Sequence, residues 1–164
     1  MAVYYLICLV IIFNMEIREY NQQDEAQVKN IFAQYWTDPE FLEELLKNLN
    51  STDCNFYIAD KEGEIVGVVG IRKAPNFLSV EADTKNPSEL YVVASKIKNK
   101  GIGSLLVKKM IEVAKNLGFT EMLGYSPETH NNSWPFYENL GFTQGGIIKD
   151  PDDGYPGMLW KKVI

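Results

Sequence analysis

Histidine and cysteine are nearly missing from this chain: His130 is the single histidine, and Cys8 and Cys54 are the two cysteines in 164 residues. Zinc sites draw on clusters of these side chains, and small secreted scaffolds draw on several cystine pairs. The sequence therefore points to a reduced, cytoplasmic protein with no metal centre. Positive charge is also short, with 16 Lys and Arg against 22 Asp and Glu and a formal net charge of −6. A nucleic-acid backbone demands a basic face, so this balance argues against nucleic acid as a partner and mildly favours cationic ones. Hydrophobic residues make up 46% of the chain, with 12 glycines and 7 prolines, which reads as one globular domain with a substantial core.

A long hydrophobic run is lacking as well. The unbroken apolar stretch Ala2 to Phe13 falls short of the about 20 residues that a spanning helix needs. It has neither the basic start nor the small-residue cleavage site of a secretory signal. Residues 1–14 read as an apolar N-terminal extension ahead of a domain over residues 15–164. An added packed element and a membrane anchor are the alternatives.

What is present centres on Glu89 to Leu106. The residues up to Ala94 are β-branched, aromatic or aliphatic, as in a strand. From Ser104 onward Leu106, Met110, Val113, Ala114 and Leu117 recur at helical spacing. Between them the chain turns through Lys96, Lys98, Asn99, Lys100, Gly101, Ile102 and Gly103. Glycines permit tight backbone there and leave N–H groups free at a helix start, which with three lysines suits a phosphate or pyrophosphate. A dinucleotide fingerprint needs a third glycine where Leu106 stands, and a P-loop needs a Gly-Lys-Ser/Thr ending; both are absent.

Lys98-Asn99-Lys100-Gly101-Ile102-Gly103 resembles the Gln/Arg-x-x-Gly-x-Gly/Ala turn of the GNAT superfamily of acyl-CoA-dependent N-acetyltransferases, with Lys98 in place of Gln or Arg. The segment from the strand to Gly101 is one residue longer than is common there. Downstream, Phe136-Tyr137-Glu138-Asn139-Leu140-Gly141-Phe142 is similar to the family's Phe-Tyr-x-x-Leu-Gly-Phe segment. The resemblance covers about Met15 to the C-terminus. It implies an α/β (α+β) fold: a central mixed, mostly antiparallel sheet with a parallel pair splayed at the CoA site, flanked by about four helices.

Along the chain, strands are expected at Glu16–Tyr20, Cys54–Asp60, Ile65–Arg72, Phe77–Ala82, Phe119–Tyr125, Phe142–Ile148 and Met158–Val163. Helices are expected over Gln22–Trp36, where Val28, Ile31, Phe32 and Tyr35 share one face, and from Asp38-Pro39-Glu40, where Asp38 is a candidate cap. Gly118 is placed to end the long helix. Gly67 and Gly70 mark a bulge or a close backbone approach.

The resemblance implies roles residue by residue. Acetyl-CoA is the acyl donor, its pyrophosphate held by Lys98, Asn99, Lys100, Gly101, Ile102, Gly103 and Ser104. Its pantetheine arm pairs with exposed backbone at Val92 and Val93 as an added strand. Tyr137 matches the acid that protonates the departing thiolate; a packed core tyrosine is the plain alternative. Asn131 or Asn132 is a candidate for a pantetheine contact or a helix cap. Glu89 is the candidate base for the amine, or an ordinary strand-end carboxylate, with Glu81 as runner-up. Asp38, Glu40, Glu44, Asp150, Asp152 and Asp153 would draw a small cationic amine or a basic peptide to the acceptor side. The reading is an N-acetyltransferase acting on a primary amine by direct attack, and a homodimer is compatible with it. A non-catalytic acyl-CoA sensor is the alternative, and the presence of Tyr137 counts against that.

Overall fold

The computed structural model describes residues 14–152 and 154–164. The extension expected over residues 1–14 lies outside them except for Asn14, as do Cys8 and Asp153. The chain divides into two compact units, one holding the residues through Gly70 with Val92–Val107, the other Ile71–Tyr91 with Lys108–Ile164.

In the first unit, β1 (Met15–Glu19) pairs antiparallel with β2 (Cys54–Lys61), Met15 opposite Lys61 and Glu19 opposite Tyr57. A 3-10 turn (Gln22–Asp24), α1 (Glu25–Phe32) and α2 (Pro39–Leu49) lie between them in sequence. The Arg18 guanidinium bridges Asp24 at 2.8 Å and Asp60 at 2.9 Å, tying both strands to the start of α1. That cation holds the Asp24 carboxyl below its usual range. Val28, Ile31 and Phe32 are buried, as their helical spacing predicts. The first helix nevertheless ends at Phe32, four residues before the expected Trp36. Asp38, held extended (φ −69°, ψ 119°) by the proline that follows it, separates the bend after α1 from α2. The Asp38 carboxylate then caps α2 by accepting from the Glu40 and Phe41 N–H groups at 2.9 and 3.0 Å.

A two-residue turn joins β2 to β3 (Glu64–Lys73), with Glu62 and Gly63 both left-handed (φ 55° and 90°). Such turns follow the natural twist of a hairpin. Helix α4 (Ile102–Asn116) explains Gly67, because a side chain there would come within 2.8 Å of Ile102 and 2.9 Å of Leu106. Gly70 is filled in the same way by the Phe56 ring. Both are close approaches.

The second unit corrects one expected strand. Phe77–Ala82 contains no strand; Asn76–Ser79 forms a short helix, α3, started by Pro75, whose carbonyl accepts from the Leu78 and Ser79 N–H groups at 3.1 and 2.9 Å. Leu78 is fully buried while Val80 is 67% exposed, so the apolar residues do not alternate as a strand requires. Glu81 accordingly leaves the list of strand-borne candidate bases.

Strand β4 (Pro87–Ser95) runs parallel to β5 (Glu121–Pro127), with pairs at Pro87↔Glu121, Ser88↔Met122 and Glu89↔Leu123. The register ends there, although both strands continue. A parallel pair needs a crossover, and α4 supplies it. It ends where Gly118 turns left-handed (φ 84°) and Phe119 N–H donates to Ala114 O at 3.0 Å. Strand β7 (Pro156–Val163) lies antiparallel to β5, and β6 (Thr143–Lys149) lies on its other side. Among the described residues the sheet order is β1-β2-β3-β4-β5-β7-β6, mixed and mostly antiparallel, with five α-helices once α5 (Trp134–Asn139) is counted. Among the described residues no helix is long and apolar enough to cross a membrane.

Candidate active site

The basic turn lies in the first unit. Two alternate residues in it are left-handed, Asn99 (φ 59°) and Gly101 (φ 79°). Such positions curl successive N–H groups into an anion-binding concavity. Glycine adopts that geometry freely, and asparagine tolerates it better than most residues. Lys98 and Asn99 are exposed, whereas Ile102 is buried to 1% and anchors the turn to the core. Gly103 and Ser104 fall in the first turn of α4, which carries no acidic residue. The chemistry of the turn suits a pyrophosphate: main-chain N–H donors at a positive helix end whose first turn holds no acidic side chain. Upstream, Lys96 N–H donates to Val66 O on β3 at 2.8 Å, and the Lys96 ammonium pairs with Glu64.

Val92 is buried and Val93 half-buried. Consecutive residues of an extended strand present their backbone groups to opposite edges. Lys96 faces β3, as does Ala94, whose carbonyl lies against Gly67, while Val93 and Ser95 face the other edge; Pro87 also faces the β3 side, accepting from Ala74 N–H at 3.1 Å, so the alternation shifts by one residue between Pro87 and Val93.

Tyr137 lies in the second unit, and the structure shows why the Leu-Gly-Phe sequence follows it. Gly141 is left-handed (φ 78°), Gly141 N–H donates to Glu138 O at 2.9 Å, and Phe142 N–H donates to Tyr137 O at 3.1 Å. This helix end brings the Phe142 ring back onto Tyr137, centroids 5.8 Å apart and nearly perpendicular. On its other flank Tyr137 stacks on Trp160 at 5.0 Å and 8°. Trp160 is fully buried and pairs across the ladder with Gly124, where a Cβ would come within 3.3 Å of the Tyr137 ring. Gly124, Trp160 and Phe142 thus form a slot that fits one aromatic ring. Tyr137 is 9% exposed. Burial, and then the charge of Glu89, push its phenol up from 10.0 to about 12. It remains protonated throughout the physiological range.

Glu89 is buried to 6% and receives the Arg72 Nε at 2.5 Å, while the Arg72 guanidinium lies 3.9 Å from the Tyr91 ring centroid. Arg72 compensates a carboxylate that burial alone would disfavour. Asn131 and Asn132 are exposed in the 3-10 turn Glu128–Ser133, and neither caps α5. Its N-cap is Ser133, whose Oγ donates to His130 O at 2.8 Å and receives the hydroxyl of Ser126 at 3.0 Å. Two of the acidic acceptor candidates serve the backbone: Asp38 caps α2, and Asp150 accepts from Asp152 N–H at 2.8 Å. Glu40 and Asp152 are exposed, Glu44 receives Asn48 at 3.4 Å, and Asp153 lies outside the described residues.

Sequence reasoning missed Arg72, Gly124, Trp160 and Tyr35. Nothing in their local patterns marks them; each matters through a partner distant in the chain.

A family model described as the acetyltransferase (GNAT) family matches residues 17–142. The chain belongs to that family. The match begins within β1 and takes in the basic turn, α4 and the whole Tyr137 segment of this GNAT chain. A curated relative, N-acetyltransferase 8B of Rattus norvegicus, is 24% identical over 119 residues, covering 70% of this chain and 48% of its own length. The chain thus spans about half the length of that relative. Among solved structures, a GNAT-family protein from Desulfovibrio desulfuricans superposes with a TM-score of 0.76 at 15% identity, covering 91% of this chain and 98% of its own. The PaiA N-acetyltransferase of Thermoplasma acidophilum, in complex with coenzyme A, gives 0.66 at 18% identity, with 92% and 99% covered. At these identities the superpositions establish the fold alone.

Proposed function

We propose that this protein transfers an acetyl group from acetyl-CoA to a primary amine by direct attack. The observation that carries the reading is Tyr137 in its slot: a protonated phenol, fixed by Trp160 and Phe142, on the helix where the family places its acid. The turn from Lys98 to Ser104 would hold the pyrophosphate through main-chain N–H groups. Val93, whose backbone faces away from β3, would pair with the pantetheine arm, more directly than Val92. The thioester supplies the acetyl group. A β4 N–H would steady the oxygen of the tetrahedral intermediate.

Two proton movements complete the reaction: Glu89 takes one from the attacking amine, and Tyr137 gives one to the departing thiolate. From a phenol at about 12 to a thiol near 8.5, the second transfer is uphill by about 5 kcal/mol. The negative charge of Glu89 is one cause of that gap. A proton arriving on Glu89 therefore makes the Tyr137 phenol more acidic, so that each transfer assists the other. For the acceptor we favour a small cationic amine or a basic peptide over a neutral amine, on the net charge of −6 and the exposed Glu40 and Asp152.

The test is a panel of polyamines, basic peptides and neutral amines incubated with acetyl-CoA, with free thiol detected. Amine-dependent thiol release that is faster for the cationic members supports the reading. Tight acetyl-CoA binding with no release for any amine would shift it to a non-catalytic acyl-CoA sensor.

A further inference from the structure

One phenol in the first unit spends both its hydroxyl and its ring on the basic turn. Tyr35, in the bend after α1, donates from its hydroxyl to Ser95 O at 2.7 Å and accepts from Ser95 N–H at 3.3 Å. Its ring lies 5.0 Å from the Lys98 ammonium. Ser95 ends β4, and its backbone groups face the edge away from β3, since the next residue, Lys96, donates to Val66 on β3. A single side chain therefore closes that edge of β4 where the turn begins and also holds a lysine of the turn. Ser95 Oγ adds a bond to Ile97 O at 3.1 Å, so the first three residues of the turn are pinned before any ligand arrives. The partly wound bend matters here: had α1 run regularly to Trp36, the side chain of Tyr35 would keep to the helix face shared with Val28, Ile31 and Phe32.

We propose that Tyr35 is a positioning residue for the phosphate-binding turn, holding Ser95 and Lys98 in place so that the turn meets the CoA pyrophosphate already aligned. It also sets a limit on the added strand: a pantetheine arm lying along β4 can use the backbone of Val93 but not that of Ser95, because the Tyr35 hydroxyl occupies it. The inference rests on the reading that this turn binds CoA. Preorganisation acts on affinity, because a turn that is already ordered loses less entropy when the ligand binds.

The experiment compares wild type, Tyr35→Phe and Lys98→Met by calorimetry with two probes: CoA, and pantetheine, which lacks the pyrophosphate. Tyr35→Phe keeps the ring and removes both hydrogen bonds to Ser95. Its CoA affinity should fall about tenfold, with binding stoichiometry and the weak pantetheine affinity unchanged. Lys98→Met should weaken CoA about two- to fivefold and make its binding less salt-dependent. A merely structural role would instead lower stoichiometry or melting temperature and affect the two probes alike. Unchanged CoA affinity in a folded Tyr35→Phe protein, or equal weakening of CoA and pantetheine, overturns the proposal. A wild-type protein that binds no CoA overturns the underlying reading instead, so the two failures are told apart.

Discussion

The basic turn and the Tyr137 slot are built from opposite materials. In the turn, Lys98 and Asn99 are exposed, and the surface proposed to meet the pyrophosphate is main chain, shaped by two left-handed residues and clamped by Tyr35 at Ser95. In the slot it is a side chain that is held, the Tyr137 ring stacked on Trp160 and met nearly at right angles by Phe142. A main-chain site depends on conformation and tolerates most side-chain changes that preserve φ and ψ. A side-chain site depends on one chemical group and tolerates none there. Substitutions in the turn should therefore act on CoA affinity, and those at Tyr137 on turnover.

The largest expected effect tests the slot. Tyr137→Phe keeps the ring between Trp160 and Phe142 and removes only the proton, so kcat should fall about 10²- to 10⁴-fold with CoA affinity unchanged. Pre-steady-state kinetics with calorimetry would check it. A variant that turns over normally makes Tyr137 a packing residue, and a parallel loss of CoA affinity would break the division between the two sites.

The next effect is on stability. Because the folded-state phenol of Tyr137 is raised from 10.0 to about 12, the folded protein keeps its proton where the unfolded chain loses it. The contribution is fully present below pH 10 and is lost as pH rises through 12, amounting to about 2 to 3 kcal/mol. Urea unfolding of wild type should therefore weaken between pH 10 and 12 by that much more than unfolding of Tyr137→Phe. Matching pH profiles for the two proteins would mean that the phenol is less enclosed than its stacking implies.

The turn is tested at Gly101. A Cβ there would meet open space, so its φ of 79° is the constraint. Gly101→Val should weaken CoA about tenfold through the cost of a left-handed β-branched residue, with kcat at saturating CoA retained, while Gly101→Asn recovers most of the affinity. If Asn is as damaging as Val, the route of the ligand and not the backbone angle excludes side chains.

What could be read in advance follows the same division. The turn, the crossover helix and the Gly118 stop were legible because glycines and periodicity act locally, whereas Tyr137 was singled out only by the resemblance of Phe136 to Phe142 to the family's segment. The slot itself was not, since Gly124 and Trp160 meet Tyr137 only through the ladder of β5 and β7. Phe77–Ala82 misled because two adjacent apolar residues satisfy a strand or a helical turn equally, and Pro75 decided for the turn. Tyr35 was visible as an apolar helix position and hidden as a hydrogen-bonding one, because α1 ends at Phe32 and Tyr35 falls in the bend beyond it.

The smallest effect concerns Asp38, where the acidic-acceptor argument meets a structural use. Its carboxylate already accepts two N–H bonds from the first turn of α2, so part of its charge is committed to the backbone. Asparagine caps about as well as aspartate, whereas alanine does not cap. Asp38→Asn should therefore leave the melting temperature within a degree or two, and Asp38→Ala should cost about 1 kcal/mol. If the capping role is the whole of it, kcat/KM for a cationic acceptor changes less than about twofold in Asp38→Asn at low ionic strength, as for a weakly coupled exposed charge. A larger fall that salt abolishes would return Asp38 to the acceptor side and make it, like Tyr35, a residue near the end of α1 that serves both the fold and the ligand.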